Sequence, residues 1–346
     1  MIRKRQFAFL FILLVVLALG FTLPPKRKIV WPEKVYNQKN NPPTSEKKEL
    51  GRLLFYDPIL SSDNTISCSS CHLSYTAFTH TDHALSHGVF DRIGKRNAPA
   101  LFNLAWKKNF MWDGAVHSLD AQAMAPIENV LEMNETLANV VSKLNERKFY
   151  RAYFFQAWGD SLATGERVLK SLSQFMLSFV SNTSKYDEVL AGKNSFSAQE
   201  KKGYALFQQK CNACHTEPLF TNDTFMSNGL ALNDTLQDLG RGSLTHLKSD
   251  ERLFKVPSLR NVEMSFPYMH DGRFRTLQQV MNHYSCIQGI EENISSPLNH
   301  SLNLNSNDKQ DLIAFLLTLT DHTFLTRKEY QFPQILQHEI IQRSHP

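Results

Sequence analysis

Two copies of one short motif contain four of the five cysteines in the sequence. The segments CSSCH (68–72) and CNACH (211–215) both have the pattern C-x-x-C-H. Two thiols one helical turn apart can add across the two vinyl groups of a haem, and the adjacent histidine then lies under the iron as its proximal ligand. The spacing therefore predicts two covalently bound haem c groups. The residues that would hold them are Cys68, Cys71, His72, Cys211, Cys214 and His215.

Other uses of paired cysteines explain the motifs less well. One C-x-x-C pair could serve thioredoxin-like redox chemistry, two pairs could form a Cys₄ zinc site, and exported chains also form disulfides. These alternatives leave His72 and His215 without a role, and the two pairs lie 143 residues apart. The fifth cysteine, Cys286, is assigned no role, because a lone thiol usually behaves as a small hydrophobic side chain.

Segments that follow each motif repeat at a constant distance. APALFNL (98–104) resembles VPSLRNV (256–262), and MWDGAVHSL (111–119) resembles MHDGRFRTL (269–277), with an offset of 158 residues in both cases. Upstream of the haem motifs, GRLLF (51–55) matches GYALF (203–207). The common order predicts two homologous haem domains related by internal duplication. Trp112 aligns with His270, a candidate cofactor-binding residue, which indicates that the two copies have diverged in function.

Helical signals surround these motifs, and few segments alternate with the period of a strand. Residues 45–56 are amphipathic, Thr164 precedes an apolar-striped run to about residue 180, and SAQE (197–200) has the pattern of a capping box. Further helices are expected over 276–284 and 306–319. Apolar density falls over 182–196, which predicts a domain boundary, and the chain from about residue 321 is expected to wrap back over the body. The sequence therefore predicts an all-α fold of two cytochrome c-like domains.

The N-terminus has the composition of a targeting segment. Three basic residues (3–5) precede an apolar run over 7–23, which is typical of a secretory signal peptide and is also close to the length of a membrane anchor. Residues 24–44 are rich in Pro, Asn and Lys and are interpreted as a tether. Residues 1–28 hold six basic and no acidic side chains, and the remainder has 32 basic against 33 acidic ones. The positive net charge is therefore no sign of nucleic-acid binding.

The motifs, taken together, resemble those of the bacterial dihaem cytochrome c peroxidases, a family that includes MauG-type enzymes. The resemblance covers about residues 45–320 and rests on CSSCH, KRNAPAL, FMWDG, CNACH, VPSLRNV and PYMHDG, with Gln122 and Glu132 between the third and fourth. It implies two haem domains with a Ca²⁺ ion between them. The N-terminal haem would be the peroxide site, and the C-terminal haem would receive electrons from a donor.

The resemblance also implies roles for particular residues. Trp112 would bridge the haems, and Gln122 and Glu132 would supply the amide and carboxylate of the peroxide pocket. Cleavage of peroxide requires a group that moves a proton between its two oxygens, and a carboxylate near the iron can do this. The Ca²⁺ would be bound by Asn97 and by the backbone carbonyls of Ser265 and Pro267.

Two positions indicate different subtypes of the family. His87 falls where peroxidases of this family carry a distal histidine that blocks the N-terminal iron, although a solvated loop histidine is an equal alternative. Tyr284 falls where those peroxidases place a methionine on the C-terminal iron and where MauG uses tyrosine, a ligand that favours Fe(III). Met281 and His283 are rival ligands close by. We expect Tyr284 to be the ligand and the N-terminal iron to be open.

The leading hypothesis is a cytochrome-c peroxidase-type oxidoreductase, which reduces hydrogen peroxide with electrons from a small cytochrome c or cupredoxin. The alternatives are a MauG-like enzyme that oxidises a protein substrate through high-valent iron, and an electron-transfer cytochrome without chemistry of its own. A periplasmic location is expected, and the resemblance is compatible with a homodimer. The expected ranges are a signal or anchor (1–23), a tether (24–44), the peroxidatic domain (45–185), the electron-transfer domain (186–325) and a C-terminal extension (326–346).

Overall fold

The computed structural model describes residues 30–287, 294–295, 298 and 301–344. The predicted signal segment and the first residues of the predicted tether lie outside these ranges. Within them, no helix combines the length and the apolar character that crossing a membrane requires.

The described chain is mainly helical, as the sequence predicts. Its α-helices are α1 (Ser45–Tyr56), α2 (Cys68–Cys71), α3 (Leu119–Gln122), α4 (Met124–Glu128), α5 (Leu137–Asn145), α6 (Lys148–Trp158), α7 (Gly165–Leu177), α8 (Lys185–Leu190), α9 (Ala198–Lys210), α10 (Gly242–Thr245), α11 (Leu277–Ser285), α12 (Ser306–Leu317), α13 (His322–Leu325) and α14 (Gln334–Ser344). Short 3₁₀ turns cover Gln38–Asn40, Pro58–Leu60, Ser74–Thr76, Val89–Asp91, Leu104–Trp106, Lys248–Asp250 and Lys328–Tyr330. Strands β1 (Phe225–Met226) and β2 (Phe254–Lys255) form one antiparallel pair, with Phe225 opposite Lys255.

The helix starts follow the capping signals in the sequence. The Thr164 hydroxyl accepts a hydrogen bond from the Arg167 amide at the start of α7. At the start of α9, Ser197 and Glu200 form the predicted capping box. Each cap satisfies backbone donors that have no partner inside the helix, and this fixes where the helix begins.

Close helix crossings at two glycines organise the two halves of the molecule. In the N-terminal half α1 packs on α7, and a Cβ added to Gly51 would lie 1.9 Å from the Ser171 carbonyl oxygen. In the C-terminal half α9 packs on α12, and a Cβ added to Gly203 would lie 1.8 Å from the Asp311 carbonyl oxygen. Glycine is therefore required at both crossings, and these are the glycines of the matched segments GRLLF and GYALF.

Each crossing belongs to its own hydrophobic core. The first core contains Leu50, Phe55 and Phe175, and the second contains Phe207 and Phe315. The predicted boundary region (182–196) contains α8, whose Tyr186 side chain is part of the second core.

The end of the chain returns to the first core. Phe324, Leu325, Tyr330 and Leu336 all pack there, so α13 and α14 close over the N-terminal half. The expectation that the chain from about residue 321 wraps back over the body is confirmed for the described residues. The contact begins earlier than the expected extension at residue 326, because Phe324 and Leu325 already belong to the first core.

The matched sequence segments also have matched backbone geometry. Isolated antiparallel bridges join Phe110 to Val116 and Tyr268 to Phe274, 158 residues later. Left-handed backbone angles recur at the same offset, at Asn103 and Asn261, at Met111 and Met269, and at Gly114 and Gly272. The two halves therefore use the same loop to present Trp112 and His270.

We predict that Gly51→Ala destabilises the haem-loaded protein by about 1–3 kcal/mol or more, because its Cβ would overlap backbone that cannot move independently. Urea denaturation followed by circular dichroism would measure the loss. Gly165→Ala, in the partner helix α7, is the control: its Cβ would meet only the flexible end of Leu137. Equal stability of the two variants would contradict this account of the crossing.

Candidate functional site

The first C-x-x-C-H motif forms one helical turn that presents its histidine. The His72 amide donates to the Cys68 carbonyl at 3.0 Å, so Cys68, Cys71 and His72 all lie on one helical turn. His72 Nδ1 lies 2.8 Å from the Phe78 carbonyl oxygen. Because a carbonyl can only accept, Nδ1 carries the proton and Nε2 keeps its lone pair, as an iron ligand requires.

The second motif repeats this arrangement. The His215 amide donates to the Cys211 carbonyl at 2.9 Å, and His215 Nδ1 lies 3.2 Å from the Phe220 carbonyl and 3.1 Å from the Pro257 carbonyl. Phe78 and Phe220 both have left-handed backbone angles, which turn the carbonyls toward the rings.

Both imidazoles are held in the neutral form. Burial lowers the pKa of His72 to about 4 and that of His215 to about 4. Only neutral imidazole can coordinate a metal. The thiols, the turn geometry and the Nε2 atoms thus fit covalent attachment of haem c at both motifs, where His72 and His215 would each supply a ligand to iron.

A carboxylate lies beside the first motif. Burial, followed by the negative charge of Glu132, raises the pKa of Cys71 to about 11. The Glu132 carboxylate accepts a hydrogen bond from Asn129 Nδ2 at 3.1 Å, and burial raises its own pKa. Glu132 is therefore a half-buried acid that holds its proton more readily than a solvated glutamate.

The loop that contains His87 packs directly on the segment that contains Glu132. The Val89 amide donates to the Glu132 carbonyl at 2.8 Å, and a Cβ on Gly88 would lie 2.3 Å from that same oxygen. The Cys71 thiol lies 3.6 Å from the His87 carbonyl oxygen. The structure thus brings Cys71, His87 and Glu132 together at the first motif.

The ring of His87 belongs to a histidine cluster. It stacks on His83 with centroids 4.0 Å apart, and His83 Nδ1 lies 3.3 Å from His80 Nε2. The cluster keeps the imidazole of His87 against its own loop, whereas the backbone carbonyl of His87 contacts Cys71 of the first motif.

The second motif opens into a cavity of about 240 Å³ whose walls come from both halves of the chain. Tyr284 and Met281 of α11 line this cavity together with His215. Burial raises the pKa of Tyr284 to about 12. His283 faces elsewhere, with Nε2 2.9 Å from the Asn228 carbonyl oxygen. Of the three candidate ligands on α11, Tyr284 and Met281 face the cavity and His283 does not.

Trp112 lies on the cavity wall where the two halves meet. Its Nε1 donates to the Asn97 carbonyl at 2.8 Å, and its own carbonyl accepts from the Lys255 amide at 2.7 Å. The Asn97 amide donates to the His270 carbonyl at 2.7 Å. His270, the counterpart of Trp112, stacks on Phe254 with centroids 3.7 Å apart.

Gln122 and the predicted Ca²⁺ ligands line the same cavity. Gln122 Nε2 lies 3.7 Å from Met111 Sδ, and Gln122 makes no hydrogen bond with Glu132. Asn97, Ser265 and Pro267 are all on the wall. The described residues contain no group of three or more His, Cys, Asp or Glu side chains that could hold a metal. The predicted Ca²⁺ ligands would not form such a group, because they consist of one side-chain amide and two backbone carbonyl oxygens. The Asn97 Nδ2 group donates a hydrogen bond to the Ala84 carbonyl at 2.9 Å.

Charged residues of this region were not predicted as site residues. Lys107 and Lys255 line the cavity, and Arg96 donates to both Asp238 oxygens at 2.6 and 2.8 Å. Arg96 lies inside KRNAPAL, and Lys255 directly precedes VPSLRNV. Their positions in or next to these segments are the feature of the sequence that could have pointed to them as site residues. Residue type alone does not reveal that a lysine is buried.

Comparisons with known proteins identify the family. A di-haem cytochrome c peroxidase profile matches residues 45–195. The chain is 35% identical to the methylamine utilization protein MauG of Methylophilus methylotrophus, over 86% of this chain and 89% of that one. It is 33% identical to cytochrome c551 peroxidase of Nitrosomonas europaea, over 81% of each. The solved structure of a MauG-like protein associated with microbial copper homeostasis has a TM-score of 0.77 at 28% identity, covering 91% of this chain and 99% of that one.

The chain therefore belongs to the di-haem cytochrome c peroxidase family of oxidoreductases, as its motifs predict. Membership implies two haem c groups, and the two C-x-x-C-H turns are the residues that fit them.

We predict two covalently bound haems per chain, measured by the pyridine haemochrome assay against protein concentration and by haem staining of denaturing gels. The double variant Cys211→Ala/Cys214→Ala should retain one haem, because the first motif is built independently on α2. Cys286→Ala is the control and should retain two. One haem in the parent protein, or haem lost on denaturation, would contradict the assignment.

Proposed function

We propose that the chain reduces hydrogen peroxide at the haem of the first motif, with electrons that enter through the haem of the second motif from a small cytochrome c or cupredoxin. The observation that carries this proposal is the position of the half-buried Glu132 carboxyl beside the first motif. The named peroxidases among the relatives support it, including the Nitrosomonas europaea enzyme.

Glu132 has the properties of a proton carrier. Reduction of peroxide to two waters consumes two electrons and two protons, and one proton must move from one oxygen of peroxide to the other. A carboxyl whose pKa is raised by burial holds that proton more readily than a solvated carboxyl does, and it can pass the proton on. Asn129 Nδ2 fixes the orientation of the carboxyl from one side. Within this proposal, Gln122 would act from the wall of the second-motif cavity, where Trp112 also lies.

The two motifs would form two haem domains related by duplication, one over residues 45–185 and one over 186–325, with Phe324 and Leu325 at the end of the second range packing on the first core. The support is the shared offset of 158 residues in sequence and in backbone geometry, together with the separate cores. Trp112 would be the electron path between the haems, because it contacts both halves at their junction. Asn97, Ser265 and Pro267 would hold one Ca²⁺ at the same junction.

The second candidate function is that of a MauG-like enzyme that takes electrons from a protein substrate. The observation that favours it is Tyr284, which lines the cavity where the peroxidases carry methionine. A tyrosine with a pKa of about 12 must lose its proton to coordinate iron. Once bound, it favours the ferric state and would make the C-terminal haem a poor acceptor of donor electrons.

Export to the periplasm belongs to the same proposal. Covalent haem attachment requires maturation outside the cytosol, and residues 1–23 have the composition of a signal or an anchor. Either form places the enzyme where peroxide and small redox proteins meet.

The first test is Glu132→Gln, which preserves size and polarity but cannot move a proton. Peroxide turnover with a reduced small cytochrome c should fall by about 10²–10⁴-fold, while haem content and reduction by the donor stay unchanged. Glu128→Gln is the matched control, because Glu128 is exposed at the end of α4. Turnover in Glu132→Gln equal to that of the control would remove Glu132 from the mechanism and favour an electron-transfer cytochrome.

The second test concerns the ligand on α11. Tyr284→Met should raise the midpoint potential of the C-terminal haem by at least about 59 mV, a tenfold change in the Fe(III)/Fe(II) ratio for one electron. Spectroelectrochemical titration would measure it. Met281→Leu is the control, since Met281 faces the same cavity. A change of potential in Met281→Leu and none in Tyr284→Met would identify Met281 as the ligand instead.

A further inference from the structure

Two lysines on the wall of the second-motif cavity, one buried and one partly buried, carry ammonium groups that make no hydrogen bond within the described part of the chain. Lys107 comes from the N-terminal half and Lys255 from β2 of the C-terminal half. Lys255 is 9% exposed and Lys107 is partly buried. Neither Nζ atom makes a hydrogen bond with a described residue. An ammonium group removed from water in this way is unfavourable unless an anion lies near it.

The chain itself supplies only part of the negative charge that two ammonium groups require. Asp223 is the acidic residue whose charge acts on both lysines. Its Oδ2 atom accepts a hydrogen bond from the Lys108 amide at 2.8 Å, and its Oδ1 atom is buried without a partner. One carboxylate and two ammonium groups leave a net positive charge in a largely apolar space.

The pKa shifts of Lys107 and Lys255 agree with this excess of positive charge. Burial, followed by the charge of Lys255, lowers the pKa of Lys107 to about 7. Burial also lowers the pKa of Lys255. Two like charges at one cavity wall are therefore expected to be stabilised by a ligand that brings negative charge.

The haem of the second motif has the matching chemistry. Its porphyrin is an apolar plane that carries two carboxylate side chains, on the edge away from the vinyl groups that bind the cysteines. The cavity is lined mostly by apolar side chains, with Cys211, Cys214 and His215 on its wall. An apolar space with two cations that Asp223 only partly balances fits an apolar ring with two anions.

We propose that Lys107 and Lys255 bind the carboxylate side chains of the haem attached at Cys211 and Cys214, and that they raise its reduction potential. A cation beside a haem stabilises the reduced iron, which carries one positive charge less. The proposal rests on the presence of this haem and not on peroxide turnover.

This arrangement would connect haem binding to the junction between the halves. The Lys255 amide donates to the Trp112 carbonyl at 2.7 Å, so the cation next to the haem is on the residue that holds Trp112. Lys107 lies five residues before Trp112 and brings a cation from the N-terminal half to the haem of the C-terminal half. The same pair would thus act on the potential of the haem and on the position of the tryptophan.

The experiment uses the full haem-loaded protein and the variants Lys107→Met and Lys255→Met. Each should lower the midpoint potential of the C-terminal haem by an amount near 59 mV, a tenfold change in the Fe(III)/Fe(II) ratio for one electron. Each should also shift the propionate bending band of that haem in resonance Raman spectra. Lys108→Met is the control, because it removes an exposed lysine next in sequence and should change neither.

Arginine variants separate charge from packing. Lys107→Arg and Lys255→Arg should retain the haem and keep a potential close to that of the parent protein, even where the methionine variants lose haem. Potentials in the methionine variants equal to that of Lys108→Met would overturn the proposal. A lower potential with an unchanged propionate band, or loss of haem from both methionine and arginine variants, would overturn it as well.

Discussion

The backbone hydrogen bond from the Lys255 amide to the Trp112 carbonyl, 2.7 Å long, is the constraint on which the arrangement of the two halves depends. It fixes a residue of the C-terminal half against the loop that presents Trp112. A second backbone bond, from Asn97 to the His270 carbonyl, fixes the matching loop of the other copy. Arg96 adds a bidentate pair with Asp238, a geometry in which the guanidinium fork fits a carboxylate. Together these contacts set the register between the halves and create a cavity that neither half could form alone.

The two motifs share their proximal chemistry and differ in the residues placed opposite to it. In both, a backbone carbonyl accepts a hydrogen bond from histidine Nδ1, which leaves the Nε2 lone pair for iron. Beside the first motif the chain places an acid with a raised pKa, and beside the second it places a phenol on an apolar wall. Under the proposed function, the acid would serve chemistry on peroxide at the first motif, and the phenol would supply a ligand to the iron at the second. Under the same proposal, these differences would let two motifs with the same proximal turn serve two different functions.

The parts of this structure that the sequence predicts depend on short-range interactions. The C-x-x-C-H turns, the caps at Thr164 and Ser197, and helix α1 are all determined by residues within about one turn of each other. The sequence shows that Gly51 and Gly203 are equivalent positions. Glycine is needed there because each residue contacts backbone more than 100 residues away. The separation of Gln122 from Glu132, the stacking of His87 on His83, and the burial of Lys107 and Lys255 depend on how distant segments pack. No local pattern encodes such contacts. The sequence therefore predicts which residues form the site better than it predicts which residues contact one another.

We expect the chain to catalyse the two-electron reduction of hydrogen peroxide. The most direct measurement adds known amounts of hydrogen peroxide to the haem-loaded protein with an excess of a reduced small cytochrome c, and follows the donor spectrum. Two equivalents of donor should be oxidised for each peroxide consumed, with water as the product. Donor that remains reduced while peroxide persists, under conditions where both haems are intact, would contradict it.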